Sequence, residues 1–339
     1  MKKPFAAFLA CMIFLLSSCA NRQAPSPDQT DTPADPTNQP ESVQVVIPED
    51  KQVFNVSVYA GPSAFGLVKL IDETALAGDS RYVYDTVFEN DVAKTAERLR
   101  EGKTDMAVLP VSEALPLFEN TDNDLTLQAV VSLGAYYIAE NGNELLALED
   151  LRDKTLYVNE NDAFARNSLE VVLAYAGIPV GIEYRQSDAE CLSALTQNDG
   201  SVAFLPQAVL FEAQGEYLNL RGVFDVANEY ETLFGAMLPF GVVIARSDFE
   251  NEQPDALRVF LGKCRSSVAF TVENYDATAV LLAKHSLLST ETARKLLPYG
   301  KIIYMEGDAM RNAVGTFIRV VSSVDPTAFD VTEETLFSE

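Results

Sequence analysis

The sequence predicts an α/β protein built from two similar units, and three observations carry that prediction. From residue 53 onward, short β-rich runs alternate with helical stretches, the pattern that parallel strands with helical crossovers require. The series strand–helix–strand–helix–strand then occurs a second time. Both series end alike, in Ala107-Val108-Leu109-Pro110 and in Ala203-Phe204-Leu205-Pro206.

In the first series, Val53–Tyr59 reads as a strand broken by Gly61-Pro62-Ser63, and Ala64–Leu76 as a helix. Tyr82–Val87 is the next strand. Asn90 or Asp91 caps a helix through Arg100, with Val92, Ala96 and Leu99 apolar and Gly102 ending it. Asp105–Leu109 is a strand stopped by Pro110.

In the second series, Thr155–Val158 is a strand followed by the polar turn Asn159-Glu160-Asn161-Asp162. Ala163–Ala176 is a helix ended by Gly177, and Ile182–Tyr184 a strand. Ser187-Asp188-Ala189-Glu190 reads as a capping box opening a helix. Ser201–Leu205 is the strand stopped by Pro206.

The rest of the chain must complete these units. Leu127–Leu133 and Tyr136–Ala139 read as strands leaving the first unit, and Met237–Ala245 as an apolar strand after the second. Pro254 sits in the first turn of a long helix to about Asn274. Helices Asp276–His285, Thr290–Leu297 and Asp308–Ser323 follow. Crossings near 134–139 and 236–241 would form a hinge.

Composition bounds the partners. The chain has 339 residues and a formal charge of −25, with 47% apolar residues to build a core. Phosphate binding needs a basic stripe, so nucleic acid is not expected. The single His, His285, excludes His-rich metal sites. No cofactor is expected.

The N-terminus points to export. Met1-Lys2-Lys3 is basic, and Phe5 to Leu16 is an apolar run too short to span a bilayer. Leu16-Ser17-Ser18-Cys19 resembles the bacterial lipobox. That resemblance implies a signal peptide over 1–18, cleavage before Cys19 and a diacylglycerol thioether on its sulfur. Loss of Lys2 and Lys3 would take the net charge from −25 to −27. Residues 20–50 hold six prolines among polar residues. Such a segment cannot order itself, so 19–50 reads as a lipidated Cys and a tether of roughly 30 Å. The expected location is the outer face of the bacterial cell membrane, held by the lipid alone.

Catalytic motifs mostly fail. Gly102-Lys103-Thr104 ends like a phosphate loop, but Glu97 stands where the first Gly belongs, and helix precedes strand. Gly61-Pro62-Ser63-Ala64-Phe65-Gly66 places its second Gly one residue late for a nucleophile elbow. A Ser-His-Asp site would depend on His285, which sits among Leu281, Leu282 and Leu288. Asp122-Asn123-Asp124 lacks the Gly and Glu of a calcium loop.

Binding geometry survives. Ligands of open α/β sheets sit beyond the carboxyl ends of the strands, where helix N-termini offer N–H groups. Those positions are Gly61, Pro62, Ser63 and Ala64; Pro110, Val111 and Ser112, with Glu113 ending that turn; Asn159, Asn161, Asp162, Ala163 and Phe164; and Pro206 and Gln207. Arg166, one turn into its helix, is the nearest cation. Tyr59, Tyr136, Tyr137, Phe164 and Phe234 could stack a flat or cationic ligand.

Gly61-Pro62-Ser63 with Phe65 to Leu70, Leu99–Pro110, Leu148–Val158, Ala203–Pro206 and Ile244–Phe260 together resemble the substrate-binding lipoproteins of ABC importers. The likeness is to the branch handling nitrate, sulfonates, taurine and thiamine-pyrimidine precursors, and it covers about 53–330. It implies a two-lobed type II periplasmic-binding-protein fold. Lobe 1 would be 51–135 plus 240–339, and lobe 2 would be 136–239. Cys191 and Cys264 then fall in different lobes and are expected unbridged.

The resemblance implies a monomeric, non-enzymatic solute-binding protein. It would capture a small organic molecule and deliver it to an ABC permease with a separate ATPase; the net negative charge and the aromatic residues near the strand ends, not the resemblance, point to a neutral or cationic one. Two alternatives stand: an enzyme on the same fold, such as a lyase of cofactor biosynthesis, and a ligand-sensing surface lipoprotein. Pyrimidine-precursor synthases of this architecture use a catalytic His and a Cys-rich segment, and this sequence has neither near its strand ends.

Overall fold

The computed structural model describes residues 51–74, 81–119, 124–197 and 200–337. Cys19, the expected signal peptide and the tether lie outside them. The strands are β1 Gln52–Tyr59, β2 Tyr82–Glu89, β3 Met106–Pro110, β4 Leu125–Leu133, β5 Tyr136–Asn141 and β6 Thr155–Asn159. They continue as β7 Gly181–Arg185, β8 Val202–Pro206, β9 Leu220–Asp225, β10 Pro239–Arg246 and β11 Ile302–Met305. One sheet runs β11-β4-β10-β3-β1-β2 and the other β7-β6-β8-β5-β9.

The repeat is visible in the pairing. β2-β1-β3 and β7-β6-β8 are parallel triplets in the same order. Each triplet gains one antiparallel neighbour at its third strand: β10 on β3, with Gly241 opposite Pro110, and β5 on β8, with Tyr136 opposite Pro206. β5 follows the first series yet lies in the second sheet, and β10 follows the second series yet lies in the first. The chain therefore passes between the sheets twice. The crossings are shorter than the sequence suggests, because β5 already starts at Tyr136 and β10 at Pro239. Gly134 N–H donates to the Leu238 carbonyl at 3.0 Å, tying one crossing to the other.

Local signals set most helices. Asp91 caps Val92–Arg100, its carboxylate accepting from Ala93 N–H. Asp162 caps Ala163–Ala176, and Gly177 closes that helix in the left-handed region at φ 67°. Pro254 opens Pro254–Glu273. The helix expected at Ala64 begins earlier, as a 3-10 turn over Pro62–Leu67 that continues as Val68–Thr74. Pro62 suits this first turn, since its missing N–H would be unpaired there anyway. At the expected capping box, Ser187 Oγ accepts from Glu190 N–H, but the Glu190 carboxylate reaches the N–H of Gln186 instead of Ser187.

Several elements escape the sequence reading: β9, the helix Val226–Phe234 and β11. β9 is a short edge strand interrupted by Gly222, where a Cβ would lie 2.7 Å from Leu210 and 2.8 Å from Tyr137.

One buried apolar cluster runs across both sheets. It holds Leu109 and Val130 of the first, Ile138 and Leu156 of the second, and Phe164 with Phe317 between them. The helix Gly307–Val324 is thereby bound to the helix Ala163–Ala176, with Phe164 and Phe317 stacked at 6.0 Å. Cys191 and Cys264 are free, buried thiols in two other clusters. No helix among the described residues is long and apolar enough to cross a membrane.

Candidate functional site

The carboxyl ends of β1, β3, β6 and β8 meet at a cleft of about 360 Å³. Of the positions expected there, Tyr59, Gly61, Pro62, Pro110, Tyr136, Asn159, Asn161, Asp162, Phe164 and Pro206 line it. Ser63, Ala64, Val111 and Ser112 do not. They are buried beneath the surface, turned inward by the same short turns that present their neighbours. Ala163 and Arg166 are not in the lining, and Gln207 faces a different cavity. Tyr137 and Phe234 are also away from the cleft.

The lining also includes Glu113, expected only as the end of its turn, and groups that were not expected there. Glu113 projects from the first turn of the helix Val111–Phe118. Asp188, read from sequence as part of a cap, enters from the start of Asp188–Gln197. Leu287 and Leu288 come from the turn beyond the helix Tyr275–Lys284, and Phe240 from β10. Glu113 carried a signal, since it ends the turn after Pro110. The leucines carried none, because only tertiary packing brings them here.

A chain of hydrogen bonds holds the polar wall. Asp162 accepts from Ala165 N–H at 2.9 Å through Oδ1 and from the Tyr136 hydroxyl at 2.7 Å through Oδ2. Asn159 Oδ1 accepts from Asn161 N–H at 3.0 Å, and Asn159 Nδ2 donates to Asp188 Oδ1 at 3.1 Å. Asn161 Nδ2 donates to the Gln186 carbonyl at 2.9 Å. The N-terminus of Ala163–Ala176, expected to offer an N–H group to a ligand, thus already carries the carboxylate of Asp162. An incoming anion would meet negative charge there.

Burial dominates the electrostatics. It raises the pKa of Glu113, with repulsion from Asp162 adding to the shift and Arg166 opposing it. It also raises Asp162, against the hydrogen bonds of Ala165 and Tyr136 and the charge of Arg166. Burial pushes Asp188 up to about 6, with Asn159 opposing and Asp162 reinforcing. Burial, then the charges of Asp162, Asp188 and Glu113, raises Tyr59 as well. Among the described residues, no Lys, Arg or His lines the cleft. His285 lies outside it, bonded to Asp72 at 3.0 Å. Among the described residues, no group of three or more His, Cys, Asp or Glu could hold a metal ion.

The profile of the family described as Menaquinone biosynthesis matches residues 75–322. No curated protein matches the chain. Solved structures share the fold. An ABC transporter protein from Parabacteroides distasonis superimposes with a TM-score of 0.66 at 20% identity, covering 85% of this chain and 99% of that one. The periplasmic aliphatic sulphonate-binding protein of Escherichia coli gives 0.68 at 13%, covering 85% and 92%. The ligand-binding component of an ABC-type import system from Staphylococcus aureus, with zinc bound, gives 0.65 at 14%, covering 85% and 97%. These likenesses establish a periplasmic-binding-protein-like fold.

Proposed function

The chain belongs to the Menaquinone biosynthesis family, and from that premise we propose that its cleft binds one small organic molecule, neutral or cationic, between the two sheets. The charge of the cleft carries this reading. Glu113 enters from the first sheet and Asp162 and Asp188 from the second, with no cation among the described residues of the lining. A ligand bringing positive charge or hydrogen-bond donors would offset the repulsion among these acids, and it would touch both sheets only when they are close.

The role supported by the fold is capture: the loaded protein passes its ligand to an ABC permease with a separate ATPase. The expected lipid anchor at Cys19 would hold the protein at the outer membrane face. The family description favours a second role with at least equal weight, that of an enzyme in cofactor biosynthesis. A buried carboxyl titrating near neutrality beside a second raised carboxyl is suited to general acid–base work, and Asp188 with Asp162 meets that description.

Native mass spectrometry of the purified protein, followed by denaturation and identification of what is released, tests the proposal. One noncovalent small molecule, recovered unchanged after incubation, supports capture. Conversion of that molecule on prolonged incubation assigns the enzyme. A protein that carries nothing, and that gains no stability from any small neutral or cationic compound, contradicts both.

A further inference from the structure

We propose that the cleft has a side pocket that takes one small hydrogen-bond donor of the ligand, a hydroxyl or amino group, onto the carboxamide oxygen of Gln207. The inference rests on the reading that the cleft holds a small organic molecule. Behind the cleft lies a second cavity of about 20 Å³, room for about one water-sized group. Pro62, Phe65 and Ala208 wall both spaces. The small cavity is mostly apolar; of its polar lining residues, Lys301 is engaged by Asn228 and Asp225 and Ser132 Oγ accepts from Gly241 N–H, which leaves Gln207.

Gln207 is 2% exposed, and its Oε1 has no hydrogen-bond partner among the described residues. Its orientation is fixed, because Nε2 donates to the Tyr299 carbonyl at 3.1 Å. A carbonyl only accepts, so the nitrogen must point that way and the oxygen must point elsewhere. The backbone N–H of Gln207 is anchored as well, on the Ala135 carbonyl at 2.8 Å. A buried acceptor left unpaired is unfavourable, and an arriving donor would relieve it. Gln207 follows β8 of the second sheet, whereas Pro62, Phe65 and Ile302 belong to elements around the first. The pocket therefore exists only while the two sides are together, and a donor seated in it favours that arrangement.

Crystals soaked separately in phenol, anisole and toluene test the pocket, with the same compounds titrated against wild type and Gln207→Met by ligand-observed NMR. Phenol donates a hydrogen bond, anisole only accepts, and toluene does neither. The expected result is a phenol oxygen within hydrogen-bond distance of Gln207 Oε1, with its ring toward Pro62 and Phe65. Phenol should bind Gln207→Met roughly tenfold more weakly, with toluene unchanged. Should the variant fail to fold, a roughly tenfold preference of the wild type for phenol over anisole still decides. A water held on Oε1 in every soak, with the rings confined to the main cleft, overturns the side pocket and leaves the cleft reading standing. Anisole entering as readily as phenol has the same consequence. If no compound enters either space and the purified protein carries no small molecule, the cleft reading fails and the side pocket with it.

Discussion

The Tyr136 hydroxyl donates to Asp162 Oδ2 at 2.7 Å, joining the first residue of β5 to the cap of the helix Ala163–Ala176. The bond places a crossing between the sheets in contact with the acidic wall of the cleft. The Tyr136 ring is held separately, by Phe164 at 5.4 Å, Phe204 at 5.3 Å and Phe240 at 6.1 Å. The apolar and polar functions of Tyr136 can therefore be removed one at a time.

Tyr136→Phe keeps the ring packing and deletes the donor. Asp162 loses one of the bonds that favour its charged form, so its carboxyl should rise further. The expected cost is about 1–2 kcal/mol of folding stability near neutral pH, read from the urea midpoint at unchanged slope. Stability equal to wild type would mean that the bond contributes nothing net.

Asp188 predicts a pH dependence of the opposite sign to the usual surface carboxylate. Its folded pKa of about 6 lies above its ordinary value of 3.8, mainly through burial. The folded protein thus holds this proton more tightly than the unfolded chain, and stability falls as pH rises between about 4 and 6. Asp188→Asn removes the loss while leaving an oxygen to accept from Asn159. The variant should match wild type below about pH 4 and exceed it at pH 7 by on the order of 1–3 kcal/mol in the absence of ligand. Thermal unfolding across that range checks it, and a gap that grows toward acid pH would refute it.

Much of this was legible where the cause is local. The shared endings at Pro110 and Pro206, the cap at Asp162 and the stop at Gly177 are all encoded within a few residues of where they act. They sufficed to place ten of the expected positions on the cleft. What could not be read depends on long-range packing. β11 is four residues long and finds its place only against β4. Leu287 and Leu288 reach the cleft from a helical block far along the chain. Asp188 was read as part of a cap, and its second role appears only once Asn159 is seen bonded to it. At Ser112 and Glu113 the error was one of facing: a helical turn offers one of two adjacent residues, and the core took Ser112.

Gly134 is where the two crossings touch. A Cβ there would lie 2.7 Å from the Phe164 ring and 2.9 Å from Leu238, and the Gly134 N–H already donates to the Leu238 carbonyl. Gly134→Ala must push these groups apart, at about 1–3 kcal/mol for an overpacked site. Because the strain falls on the crossings, it should also change the compaction that a tight ligand produces in small-angle scattering. Unchanged stability and unchanged compaction would show that the crossings have slack.

The sign of the ligand's charge can be read from two variants used together. Glu113 is the acid that the first sheet brings to the cleft, and the charge of Arg166 opposes the rise in pKa of both Glu113 and Asp162. For a cation or a strong donor, Glu113→Gln removes an attractive partner. The molecule recovered from the wild-type protein should then bind about ten- to a hundredfold more weakly by calorimetry at pH 7. Arg166→Ala leaves both carboxyls in place but removes a charge that favours their ionised forms, so their pKa values rise further. Binding should weaken at neutral pH and recover as pH increases, with its midpoint moved upward from the wild-type value. An anionic ligand reverses the first result, because Glu113→Gln relieves repulsion and tightens binding. It also alters the second, since Arg166→Ala would then weaken binding with no recovery at higher pH. The two titrations therefore separate a cation from an anion even before the bound molecule has been identified by mass.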